Sequence, residues 1–324
     1  MKKRIGLALS GGGASGLCHI GVLKVLDENH VTVDAISGCS FCALIGGLYC
    51  SGYKARDIEK LAKETKWQRL LDFTLPVNSF IRGRRIENTI RKLIQNRQFH
   101  DLEPKFFVGA TNFETGGEVV FQEGDVSSAI RASIAIPGII AAKRINKQRF
   151  VDGVLVDPTG IFALKEKCDA LVVVDLSVPF QKSVKLMKSK KTRENELLAA
   201  FSNNVMGNFM KLLRKNIKER QFKRVPKLIV NTIETIVNRI FTPSRFINLL
   251  SGGISPQMIE IVLRSQQIVM SRLYNLNLEL GKPDIIIKPE YSYLGYVEFD
   301  RVDDFVRAGE EATNKVLAQI KKLF

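Results

Sequence analysis

With 324 residues, 45% of them hydrophobic and 25% charged, the chain can bury a sizeable core, which excludes global disorder. Its formal net charge of +16 calls for an anionic partner: nucleic acid, an acidic membrane surface or an anionic substrate. No apolar run approaches the roughly 18 residues of a membrane span, and the five cysteines do not read as a secreted disulfide framework, so a cytoplasmic protein is expected.

In chain order, "RIGLALS" (Arg4–Ser10) predicts a buried strand. A helix over Ala14–Asn29 follows, with Leu17, Ile20, Val22, Leu23 and Leu26 on its apolar side. "VDAIS" predicts a second strand and Phe41–Ser51 a helix. Ala55–Thr65 and Arg84–Asn96 read as helices, while "FFVGATNF" and "EVVFQE" read as strands. A short helix over Val126–Ile134 stops at Pro137-Gly138, and the strands "RFVDG" and "DALVVVDLS" follow. Continuous apolar strands separated by helices predict an α/β fold with a largely parallel sheet covered on both faces.

The composition then shifts. Gln181–Leu250 holds 16 Lys/Arg against 4 Asp/Glu, most of the chain's excess charge, with Leu197, Phe201, Val205, Phe209 and Leu212 at helical spacing. Basic residues interleaved with a wide aliphatic stripe and few aromatics suit an interfacial helix on an anionic bilayer better than a nucleic-acid surface. An ordinary helical cap with solvated lysines fits the same pattern. After "SGGISP" come a helix near Gln257–Leu276, the strand "DIIIKP" and a terminal helix over Asp303–Leu323. The expected organisation is a core over 1–180, a basic helical insertion or cap over 181–252, and core-completing elements over 253–324.

Two loops carry candidate chemistry. "LSGGGASG" places Gly11, Gly12, Gly13 and Gly16 between a strand and a helix, where bare backbone N–H groups can cradle an anion. The anion is either a dinucleotide phosphate or the oxyanion of acyl transfer. The phosphate reading wants an acid at the end of the next strand, and Asp34 stands too early for that. In "SGCSFCAL", Gly38, Cys39, Ser40, Phe41 and Cys42 form a strand-to-helix turn that would expose Ser40 as a nucleophile elbow does, although a serine N-cap reads the same way.

The base for Ser40 is not an evident histidine: His19, His30 and His100 have no motif around them. Asp152 in "RFVDGVLVDP" closes a strand before a glycine and can reach the same rim, though Asp-Gly is also a common turn pair. Cys39-x-x-Cys42 allows a redox disulfide, but buried free thiols are the commoner case, and no second pair completes a metal site.

Taken in order, "SGGGASG", "SGCSFCAL", "RASIAIPG" and "VDGV" resemble the four motif blocks of the patatin-like phospholipases, and "IIIKPEYSYLGYVEFD" resembles the tail of bacterial members. The likeness covers about Lys3–Pro179 and Gly253–Phe324. It implies a three-layer α/β fold and a Ser–Asp dyad, with Ser40 as nucleophile and Asp152 as base. It also implies an oxyanion loop of Gly11, Gly12 and Gly13. Acyl-ester lipids such as phospholipids would be the substrates, at an anionic membrane surface on its cytoplasmic side. Neither metal, organic cofactor nor nucleic acid is called for. Three positions depart from the family pattern: Ser15 where Arg or Lys is usual, Cys42 in place of glycine, and Val154 in place of a small residue. They keep two rivals open, a catalytically silent lipid binder and a nucleotide-binding α/β protein.

Overall fold

The computed structural model describes residues 3–72, 79–177, 256–291 and 298–323; the basic stretch 181–252, expected as a helical insertion or cap, lies outside the described residues. Eight strands form one sheet: β1 (Ile5–Leu9), β2 (Ala35–Cys39), β3 (Lys105–Asn112), β4 (Glu118–Phe121), β5 (Lys143–Ile145), β6 (Gln148–Asp152), β7 (Ala170–Val174) and β8 (Ile285–Ile287). The helices are α1 (Cys18–Glu28), α2 (Phe41–Cys50), α3 (Ala55–Glu64), α4 (Arg84–Leu93), α5 (Val126–Ser133), α6 (Phe162–Lys165), α7 (Pro256–Gly281) and α8 (Val302–Lys321). Strands β3, β2, β1, β7 and β8 run parallel in that spatial order, while β4, β5 and β6 are antiparallel additions.

Alternation along the strands splits the core into two layers. Ile5, Leu7, Leu9, Ile36, Val108, Val172, Val174 and Ile287 face one side, packed with residues of α1, α2 and α8. Ala8, Ala35, Phe107, Leu171 and Val173 face the other, covered by Ile161, Ala163 and Leu164 and by Leu278 of α7. The fold is therefore three-layered, helix–sheet–helix, with a mostly parallel centre. Each fully buried Leu or Ile contributes about 1.5–3 kcal/mol relative to exposure, so the continuous apolar runs that mark the strands also supply the core.

The larger helical layer closes through α1 and α8. A Cβ on Gly21 would lie 2.0 Å from the Val306 carbonyl oxygen, and one on Gly309 would lie 2.0 Å from that of Cys18. Two glycines thus let the helix backbones touch. Nothing in the local pattern marks Gly21 or Gly309 for this, because each reads simply as a poor helix former.

The register of β3 brings the site together. One edge of β3 carries β4, from Val108 opposite Phe121 to Thr111 opposite Glu118. The other edge is shared by two strands placed end to end: β2 ends with Cys39 opposite Gly109, and β6 ends with Asp152 opposite Ala110. Since β2 is parallel and β6 antiparallel to β3, their C-terminal ends meet. The short strand β5 has no counterpart in the sequence reading; it exists as the hairpin partner of β6, around Asn146 and Lys147, both at positive φ.

Candidate active site

Ser40 follows β2 directly and caps the start of α2, with φ 58° and ψ −138°. A non-glycine residue held there is strained, and such strain persists only where the surroundings over-determine it. Here the backbone leaves no alternative: a Cβ on Gly38 would stand 2.7 Å from the Ala43 Cα, so strand and helix fold back with no room between them. The Ser40 N–H donates to Ser133 Oγ at 2.8 Å, and the Ser133 hydroxyl donates to the Gly109 carbonyl at 2.6 Å. Ser133 of α5 thus pins the elbow to β3.

Asp152 arrives from the opposite direction. The Ser40 hydroxyl donates to Asp152 Oδ2 at 2.7 Å, across 112 positions of sequence, and the Val154 amide donates to Oδ1 at 3.1 Å. The Asp152 backbone is held by Thr111, whose hydroxyl donates to its carbonyl at 2.8 Å, and by its own N–H donating to the Ala135 carbonyl at 3.1 Å. Gly153 must be glycine for a steric reason, since a Cβ there would lie 2.4 Å from the Gly109 oxygen. Asp152 is 1% exposed, and burial pushes its carboxyl up to about 7, against the pull of the Ser40 hydroxyl and the Val154 amide. That is the range a general base needs near neutral pH.

The glycine loop lies against both residues. A Cβ on Gly11 would meet Val154 Cγ1 at 2.4 Å and Ser40 Cβ at 3.7 Å. Three successive carbonyls are tied back by side-chain donors: Ser10 by His19 Nε2 at 2.9 Å, Gly11 by the Tyr274 hydroxyl at 2.6 Å, and Gly12 by the Ser15 hydroxyl at 2.7 Å. The amides differ among themselves. Gly11 N–H donates to the Pro158 carbonyl at 2.8 Å, so this amide is committed elsewhere and the expected three-glycine donor set narrows to Gly12 and Gly13. The Gly12 amide faces the Cys42 sulfur in the first turn of α2, and a thiol is a weak acceptor. The Gly13 amide has no partner among the described residues.

The positions that depart from the family pattern are accommodated. Ser15 is buried and folds its hydroxyl onto the loop it belongs to. Cys42 fills the space beside Gly16, where a Cβ would meet its sulfur at 2.7 Å. Val154 packs against Gly11. All five cysteines are free, and burial raises the thiols of Cys39 and Cys42, which makes them poor nucleophiles. His19 is buried, with its pKa lowered to about 4 by desolvation, and serves the Ser10 carbonyl rather than Ser40. His100 lies in an exposed turn beside Asp101.

Sequence reading missed the supporting residues. Ser133 stood inside the quoted block "RASIAIPG" and Pro158 closed the quoted "RFVDGVLVDP", so both had a signal; Thr111 and Tyr274 had none. Asp157 is another supporting residue: it is 3% exposed and accepts from the Thr159 and Gly160 amides at 2.9 and 3.0 Å and from Asn277 Nδ2 of α7 at 2.9 Å. It shapes the turn that presents Pro158 and fastens α7 to it.

An α/β sheet that ends one parallel strand in a strained serine elbow, beside a buried carboxylate and a glycine loop, defines a class of fold and site. Residues 7–165 match the patatin-like phospholipase family model, so the chain carries a patatin-like phospholipase domain, in agreement with the resemblance of its four motif blocks. It is 27% identical over 318 residues to an uncharacterized NTE family protein of Mycobacterium bovis, covering 97% of this chain and 46% of that protein. It is 34% identical over 184 residues to lysophospholipase NTE1 of Cryptococcus neoformans, covering 54% of this chain and 11% of that one. The chain thus spans about half the length, or less, of the curated relatives it matches. Among solved structures, VipD from Legionella pneumophila shares the fold, with a TM-score of 0.54, 12% identity, and coverage of 98% of this chain and 67% of that one.

Proposed function

We propose that the chain is a serine lipid acyl hydrolase of phospholipase A or lysophospholipase type, working through a Ser40–Asp152 dyad. The observation that carries this reading is the 2.7 Å hydrogen bond from Ser40 Oγ to a carboxylate that is 1% exposed and poised to change protonation near neutral pH. In the mechanism, Asp152 accepts the hydroxyl proton as Ser40 Oγ attacks the ester carbonyl carbon. The Gly12 and Gly13 amides take the charge that develops on the carbonyl oxygen. Asp152 returns the proton to the leaving alcohol, which departs and leaves Ser40 acylated. Water then enters, gives a proton to Asp152 and attacks the acyl carbon; the fatty acid leaves as Ser40 recovers its proton. Asp152 acts alone on Ser40, without an intervening imidazole, because β2 and β6 meet end to end.

The lysophospholipase activity named for the fungal relative supports a lipid ester as substrate. The net charge of +16 supports work at an anionic bilayer, and no described helix is long and apolar enough to cross one. The test is hydrolysis of p-nitrophenyl butyrate and lysophosphatidylcholine by wild type, Ser40→Ala and Asp152→Asn, with a fluorophosphonate label scored on each. Turnover and labelling in wild type are expected, with losses of about 10³-fold or more in both variants. A wild type that neither hydrolyses nor labels, yet binds liposomes as Ser40→Ala does, would make the protein a silent lipid binder instead.

A further inference from the structure

We propose that Tyr274, in the C-terminal half of α7 and outside the stretch that matches the family model, is a positioning residue for the amides that receive the oxyanion. The proposal rests on the acyl-hydrolase reading above. In a trans peptide the C=O and N–H point in opposite directions, so anchoring a carbonyl sets the direction of the next residue's amide. The only cis peptide among the described residues is Glu103-Pro104, so the unit joining Gly11 to Gly12 is trans. Its carbonyl is the one Tyr274 holds, at 2.6 Å, and Tyr274 is 3% exposed. Its N–H, that of Gly12, is therefore turned away from α7 and toward the first turn of α2, where Ser40 and Cys42 stand.

Glycine makes this anchor necessary. Gly12 and Gly13 sit at φ −172° and 59°, and a glycine peptide unit turns over more readily than any other. Without the hydroxyl, the Gly11–Gly12 unit would keep only the weak contact of its N–H with the Cys42 sulfur, and the Gly12 amide would be less preorganised. A donor that must reorient during the reaction contributes much less than one already aimed. The anchor is itself built in from elsewhere: Asn277, one turn further along α7, donates to Asp157, and Asp157 shapes the turn whose Pro158 carbonyl accepts from Gly11. Gly281 of α7 packs so closely on Ile161 that a Cβ would stand 2.5 Å from it. The glycine loop is thus held between its own helix and α7.

The test compares wild type, Ser40→Ala, Tyr274→Phe and Tyr53→Phe in steady-state hydrolysis of p-nitrophenyl butyrate, with fluorophosphonate labelling rates and thermal melts. Tyr53→Phe is the control, because it also removes a tyrosine hydroxyl from a backbone carbonyl, that of Leu93 at 2.9 Å, and Tyr53 follows the opposite end of α2 from Ser40. Tyr274→Phe should lower kcat about 10-fold to 100-fold, less than deleting a donor outright, with KM within about twofold of wild type. Its labelling rate should fall in the same proportion, since the phosphonyl oxygen occupies the same place, while Tyr53→Phe keeps wild-type kcat. A Tyr274→Phe protein with wild-type kcat, or one in which kcat falls only as far as in Tyr53→Phe, overturns the proposal. Should Tyr274→Phe not fold, 3-fluorotyrosine at 274 keeps the hydroxyl as a stronger donor: kcat at or above wild type supports the role, and a loss refutes it. A wild type whose turnover survives Ser40→Ala removes the hydrolase reading, and this inference with it.

Discussion

Among the described residues, the Asp152 carboxyl oxygens meet only a hydroxyl and an amide, and no cation compensates its charge. Burial therefore dominates, and the group titrates at about 7 instead of near 3.8. Two expectations follow. The proposed mechanism requires the deprotonated form, so kcat/KM should rise with pH through a single inflection near 7 and level off above it; the profile is measured with p-nitrophenyl butyrate from pH 5 to 9. For stability the sign is opposite. Between about pH 4 and 7 the folded state holds a proton that the unfolded chain has released, so folding weakens as pH rises through that window. Asp152→Asn, which never ionises, should melt higher than wild type at pH 8 and lose that advantage at pH 4. Equal differences in melting temperature at the two pH values would show that the carboxylate is not desolvated as described.

His19 illustrates the other sign. Desolvation lowers its pKa to about 4, so the folded state excludes a proton that the unfolded chain takes up below about 6.5. Stability linked to this residue is present above that pH and is lost as pH falls toward 4. Since the same imidazole holds the Ser10 carbonyl, its protonation strains the glycine loop only at a pH well below that at which Asp152 takes up its proton.

Whole elements are placed by contacts that admit no added atom. The turn into α2 exists because Gly38 has no Cβ, and Ser133 holds it against β3. Ser133→Ala leaves the Ser40 amide and the Gly109 carbonyl unpaired in the core, at a cost of about 2–3 kcal/mol, and should reduce kcat through a looser elbow. Chemical denaturation and kinetics on the same sample would check both. The α1–α8 crossing is more demanding: in Gly21→Ala the new methyl meets the Val306 carbonyl, and only helix separation relieves it. A loss of about 3 kcal/mol is expected by denaturant titration, with the kinetics of the surviving folded protein little changed, because Ser40 and Asp152 lie at the ends of β2 and β6 and not on that crossing. An unaltered midpoint would mean that the two helices do not meet as described.

At the scale of the molecule, the elements that carry the candidate site and the C-terminal ones pack together among the described residues. Strand β8 extends the parallel sheet beside β7, α8 covers α1, and α7 grips the glycine loop and the Asp157 turn. A fragment ending at residue 177 keeps Ser40, Asp152 and the motif-bearing loops but exposes the apolar face of α1 and frees the β7 edge. It should be insoluble or inactive, and coexpression with residues 256–324 should recover part of the activity. A soluble fragment with wild-type turnover would show that the C-terminal elements are dispensable. The matched stretch 7–165 omits β8, α7 and α8, which supply these contacts.

Much of this was legible in the chain. Strands buried on both faces read as unbroken apolar runs, as in "RIGLALS" and "DALVVVDLS", and helices packed on one side showed the 3.6-residue period. The loops with special backbone were visible as glycines, as in "SGGGASG", "SGCS" and "VDG". These are local signals, set by how each segment meets its own backbone geometry and solvent, so one sequence carries them. What joined the parts was not local. That Ser40 and Asp152 meet depends on two strands sharing one edge of β3; that Gly11 cannot offer its amide depends on Pro158; and the Gly11 carbonyl is held by a tyrosine 263 positions away. A hydroxyl on a helix has the same sequence pattern whether it meets water or a distant carbonyl. Elements, candidate residues and family came from the sequence by itself, because they follow from segment-scale physics; the register and the hydrogen bonds that hold the glycine loop were decided only when the chain closed on itself.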